Sequence, residues 1–163
     1  MNGALRPTAS DDGPMNVDVL VETTIRCRPE VVAAFAGDPT NAPRWYANIT
    51  SVQWRTPPPV GTGSRVDFEA RFLGRRLAYT YEVVEMSERR LVMRTADGPF
   101  PMETTYAWEP VGEESTRMTL RNRGTPSGFT GLAAPVLERA MRRATTKDLA
   151  RLTAMLETGS SGT

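Results

Sequence analysis

The chain has 163 residues, 20 Lys plus Arg against 19 Asp plus Glu, a single cysteine and no histidine. A net charge of +1 provides no global field for nucleic acid or an anionic membrane, and a lone Cys27 forms no internal disulfide and fits a reducing, cytoplasmic compartment. Without histidine no Ser-His-Asp or Cys-His arrangement, histidine zinc site or histidine haem ligand can be built, and one cysteine cannot form a thiolate cluster.

Residues 1–14 are polar, broken by Gly and Pro and without periodicity, so a disordered tail is expected there, with Met15 a possible true start. The tail lacks the basic-plus-apolar plan of a secretory signal. No stretch approaches the roughly 20 apolar residues of a membrane span, so stable membrane insertion is not expected. Residues 15–157 are long enough for one domain, and residues 158–163 read as a flexible C-terminal tail.

Val17 to Ile25 alternates as a first strand. Pro29 then opens a helix at its favoured position, with Val31, Val32, Ala34 and Phe35 as the apolar stripe and Gly37 as the stop. Asp38 and Pro39 lead into a second short helix ending near Trp45 and Tyr46, and a strand from Ile49 to Trp54 follows. Val66, Phe68, Ala70 and Phe72 alternate with Arg65, Asp67, Glu69 and Arg71, which is the two-residue period of a strand with one wet face. The same pattern returns at Leu77, Tyr79, Tyr81 and Val83, at Met102, Thr104, Tyr106 and Trp108, and at Met118, Leu120 and Asn122. Turn residues separate these runs, among them Leu73 with Gly74 at a hairpin tip and Gly112, so antiparallel neighbours are expected.

The closing segment, Leu132 to Glu157, predicts one helix about 40 Å long. Leu132, Val136, Leu137, Ala140, Met141 and Ala144 share a face, and Leu149, Leu152, Met155 and Leu156 continue it on a rotated stripe. Pro135 is tolerable only near the helix start. If the helix begins before it, the missing amide is expected to kink the helix and open a portal with the loop from Gly124 to Gly131. Asp148 falls on the inward arc, an unexpected place for a carboxylate. Burial would raise its pKa and make it a base or a ligand-orienting group, whereas a drifting stripe would leave it partly exposed beside Arg151.

The pairs Arg75 with Arg76, Arg89 with Arg90 and Arg142 with Arg143 read as solvated faces, and no nucleic-acid partner is expected. No glycine-rich phosphate loop is present, and no metal or cofactor is expected.

The stretch PEVVAAFAGDPTNAPRW, the entry PPVGTGSRVDF, the run YEVVEMSERRLVMR and the closing KDLARLTAMLE together resemble the START-like superfamily (SRPBCC), the polyketide cyclase and lipid-transport proteins. The resemblance covers about Met15 to Glu157. It implies an α+β helix-grip fold: a curved antiparallel sheet of six or seven strands around a long C-terminal helix, with two short helices between strands one and two. It also implies a deep apolar cavity between sheet and helix, and a structural role for Trp45, which pins the short helices over the sheet.

The residues expected to meet a hydrophobic small molecule there are Phe68, Phe72, Tyr79, Tyr81, Met102, Thr104, Tyr106, Trp108, Met118, Asn122, Val136 and Met141. The plain alternative is that these aromatic stripes are core. Three functions fit: a carrier or sensor that binds a lipid, polyketide or quinone-like molecule; a polyketide cyclase or dehydratase in which Tyr81 or Tyr106 donates a proton and Asp148 accepts one; and a protein-interaction module with a filled core. The carrier asks least of the sequence. Ligand identity and oligomeric state are not fixed by it.

Overall fold

A computed structural model of the chain describes residues 16–129 and 131–160. The expected N-terminal tail and the Met15 start lie outside them. Seven strands form one antiparallel sheet: β1 (Val17–Ile25), β2 (Ile49–Trp54), β3 (Arg65–Phe72), β4 (Arg75–Met86), β5 (Arg90–Asp97), β6 (Met102–Val111) and β7 (Ser115–Gly124). The order across the sheet is β1-β7-β6-β5-β4-β3-β2. Consecutive strands from β2 to β7 are neighbours, as short connections demand. The exception is the crossing from β1 to the far edge, carried by α1 (Pro29–Ala36), a 3-10 turn (Pro39–Asn41) and α2 (Ala42–Trp45).

Local chemistry fixes the hairpins. Leu73 and Gly74 join β3 to β4 with φ of 50° and 76°, the left-handed pair of a two-residue turn whose twist matches the strands it joins. The register that follows sets Phe68 opposite Tyr79 and Val66 opposite Tyr81. Farther across, Thr104 faces Asn122 and Trp108 faces Met118. The alternating apolar residues therefore share one concave face. Register shifts in β4, between Thr80 and Tyr81 and again between Val83 and Glu85, add the bends that curl the sheet.

The convex face is where the arginines go. Glu103 of β6 lies between Arg94 of β5 and Arg123 of β7, with contacts of 2.6 and 2.8 Å. The hydrogen bond from Arg94 and the charge of Arg123 hold the Glu103 carboxyl below its usual range. Such exposed pairs contribute little each, but they keep the outer face polar.

The helix α3 (Ala134–Ser160) packs along β1 and crosses the concave face. It starts two residues later than the periodicity predicts, and Pro135 sits in its first turn. There the missing amide is one of those with no partner inside the helix, while the amides of Val136 and Leu137 reach back to Ala133 O. No kink is required at Pro135. The helix also runs through Ser160, so residues 158–160 of the expected tail belong to it.

The core lies where the C-terminal half of α3 and α1 come down on the sheet. Ile25, Val32, Trp45, Trp108, Met118, Leu120, Leu149 and Leu152 are all at most 1% exposed. Trp45 packs against Tyr46 and Tyr106, with centroids 4.0 and 5.8 Å apart, and locks α2 onto the sheet. Gly37 ends α1 beside Trp108, where a Cβ would lie only 3.3 Å from the indole edge.

Candidate functional site

At the other end of the concave face the layers do not meet. The first half of α3, α2 and strands β3 to β7 enclose a cavity of about 190 Å³. That is room for on the order of a dozen waters, far more than a packing defect. Phe68, Phe72 and Tyr79 form one wall, Met102, Thr104, Tyr106 and Asn122 another, and Leu91, Met93 and Thr95 of β5 the floor between them. From the helix come Leu137, Met141, Ala144, Thr145 and Asp148, a three-to-four-residue spacing that puts them on one stripe.

Of the residues expected to meet a ligand, Phe68, Phe72, Tyr79, Tyr81, Met102, Thr104, Tyr106, Asn122 and Met141 line this cavity. Three do not. Trp108 and Met118 point to the concave face as expected, but lie further along their strands, where Leu149 and Leu152 fill the space above the sheet. Val136 is 52% exposed, because the first turn of α3 presents Leu137, not its neighbour, to the sheet. Five lining groups that the sequence reading missed had a visible signal: Leu91, Met93 and Thr95 continue the two-residue period, and Tyr46 and Asn48 follow the helix-ending Trp45. Phe100 and Phe129 had none, since both stand on loops.

These two rings form the mouth together with Phe72. Phe129 meets Phe72 edge-on at 5.9 Å and Phe100 at 6.2 Å. The Arg75 guanidinium lies over the Phe129 ring, 5.5 Å from its centroid, and donates to Ser127 O. Gly128 has a φ of +85°, and a Cβ there would meet that guanidinium, so any other residue displaces the Arg75 side chain from its place.

Polar groups inside the cavity form two sets. In the first, Thr104 donates to Asn122 Oδ1 at 2.6 Å. Having one proton, Thr104 must then accept from the Tyr81 hydroxyl 2.9 Å away. Burial pushes the Tyr81 phenol up to about 12. In the second, the hydroxyls of Tyr46 and Tyr106 are bonded to each other. Burial raises both phenols, and the nearby Asp148 charge raises them further.

Asp148 is 4% exposed, so the reading that left it half in solvent beside Arg151 is corrected. The apolar stripe drifts less over this turn than the sequence suggests, and α2 covers what remains. Oδ1 accepts from the Ala47 amide at 3.1 Å. Desolvation raises its pKa, against the lowering effect of that amide and of exposed Arg151.

A pH test follows. A carboxyl whose folded pKa is raised is penalised when ionised, so its site gains stability as pH falls through the folded value toward the ordinary value near ~3.8. Asp148→Asn is therefore expected to melt a few degrees above the parent at pH 7, at roughly 2–4 °C per kcal/mol for this length. The difference should vanish below about pH 4. Equal melting curves at pH 7 would show that the carboxylate is not desolvated.

The family described as polyketide cyclase / dehydrase and lipid transport matches residues 16–157. The chain belongs to this family. Solved structures agree on the START-like fold. TTHA0849 from Thermus thermophilus is 22% identical with a TM-score of 0.74, over 88% of this chain and 99% of that one. A START superfamily protein from Mycobacterium smegmatis is 14% identical with a TM-score of 0.75, over 86% and 97%. The Zhui aromatase/cyclase from Streptomyces sp. R1128 is 16% identical with a TM-score of 0.70, over 87% and 94%. No curated protein sequence matches the chain. As a START-like domain the chain is of polyketide cyclase type, and no helix among the described residues is long and apolar enough to cross a membrane.

Proposed function

We propose that this START-like domain binds a hydrophobic small molecule, of lipid, polyketide or quinone-like character, as a carrier or sensor. The observation that carries the reading is the cavity itself: a space lined mainly by Phe, Tyr, Leu, Met and Ala, with a few polar groups at defined points. Its test is native mass spectrometry of freshly purified protein, with identification of what is released. A stoichiometric apolar molecule is the expected result. An empty spectrum, together with no displacement of a fluorescent lipid probe, would overturn the binding reading.

Cyclase or dehydratase chemistry is the second reading, favoured by Asp148 and the Tyr46–Tyr106 pair facing one cavity. Burial weakens it in one respect: raised phenols are poorer acids and serve better as fixed hydrogen-bond donors. Tyr106→Phe separates the two. In a carrier, Tyr46 keeps a hydroxyl in the cavity, and affinity is expected to change by no more than about tenfold, in line with a net hydrogen bond of ~0.5–1.5 kcal/mol. In an enzyme that uses Tyr106 as its acid, turnover of a polyketide substrate would fall by ~100-fold or more while binding persists.

A further inference from the structure

The charge inventory of the cavity narrows the ligand. Among the described residues that line it there is no lysine or arginine, and Asp148 is the one carboxyl group. Its Oδ1 is held by the Ala47 amide. Among the described residues nothing donates to its Oδ2, and Asp148 is one of the residues that line the cavity. The basic groups stand elsewhere: Arg151 is exposed on the solvent side of α3, and Arg75 is committed to Ser127 and Phe129. The second acceptor is Tyr81, whose proton is used on Thr104.

We propose, building on the binding reading above, that the cavity selects uncharged apolar molecules bearing a hydroxyl group and rejects carboxylates, with Asp148 as the residue that decides. A hydroxyl can donate to Oδ2 and complete its hydrogen bonding, and such charge-assisted bonds are about twice as strong as neutral ones. A carboxylate brought into the same space meets a like charge, with no buried cation to offset its desolvation. A free fatty acid is thus a poor occupant with its head inside, and a hydroxylated ring system is a good one.

The test uses two fluorescent series, naphthalene and pyrene, each as the parent hydrocarbon, the hydroxyl derivative and the carboxylate, titrated at pH 7 into the full chain. Within a series the hydroxyl compound is expected to bind about tenfold tighter than the parent and the carboxylate at least tenfold weaker. Asp148→Asn keeps an oxygen for the Ala47 amide and turns the other atom into a donor. It should leave the parent unchanged, weaken the hydroxyl compound and bring the carboxylate up by at least tenfold. If parent and carboxylate bind equally well to the unmodified chain, the inference is overturned while the binding reading stands. The same holds if Asp148→Asn folds and leaves the ratios as they were. Should the variant fail to fold, the ranking of the three compounds on the unmodified chain decides alone. Failure of every compound in both series to bind would overturn the binding reading, and this inference with it.

Discussion

Trp45→Ala is expected to produce the largest loss of stability of any single substitution in the short helices. The indole is fully buried, contacts Tyr46 and Tyr106, and joins the core formed by Val32, Leu149 and Leu152. Truncating a buried tryptophan costs roughly 3–5 kcal/mol, from lost transfer energy and from the cavity left behind. At this chain length that is a melting temperature lower by roughly 6–20 °C. The effect should reach the binding site as well, because Tyr46, the next residue, lines the cavity and bonds Tyr106. Trp45→Phe should recover much of the loss. Among the described residues the buried Nε1 has no hydrogen-bond partner, so removing it sacrifices no bond seen there. Thermal denaturation of the three proteins checks this. A shift under 3 °C for the alanine variant would mean that α2 is not held by the indole.

The second large effect is on binding with stability nearly spared. Ala144 stands on the cavity-facing stripe of α3 between Met141 and Asp148. Ala144→Trp directs an indole into the space opposite β5 and β6, where a ligand would lie. Affinity for the released ligand, or for the best pyrene probe, should drop by ~100-fold or more, since the apolar contacts that give a pocket its affinity are then made by the protein itself. The melting temperature should stay within a few degrees, because the ring enters existing space and overpacking costs of ~1–3 kcal/mol arise only where space is lacking. Ala144→Leu fills less and serves as the graded control. Full affinity in the tryptophan variant would place the binding site outside this cavity.

How much of this is readable beforehand depends on which physical rule each residue obeys. Phe68, Tyr79, Tyr81, Thr104 and Tyr106 belong to the concave face by a two-residue period, and the hairpin at Leu73 and Gly74 sets the register that makes the assignment hold. Period gives the face and not the depth. Trp108 and Met118 obey the same alternation as Tyr106 and Leu120, yet stand under the part of α3 that closes on the sheet. Along the helix the problem is angular. Val136 and Leu137 are one residue apart, about 100° on the helix, and the direction of approach of α3 decides which of them is buried. Asp148 is caught between the same two possibilities. Phe100 and Phe129 cannot be seen at all, because the loops that carry them have no period and meet only after the sheet has curled.

The space under α3 has a bearing on the protein's lifetime as well as on recognition. A domain that withholds about 190 Å³ from its own core forgoes the dispersion and burial that side chains there would supply, and on the binding reading proposed above an occupant restores part of them. Mass action sets the amount: a molecule at one hundred times its Kd adds about 2.7 kcal/mol to folding. Differences of that size change how often a chain is unfolded, and therefore how much of it survives proteolysis in a cell. On that reading, abundance of the protein should follow the supply of the molecule it binds, an output that needs no partner and no catalysis.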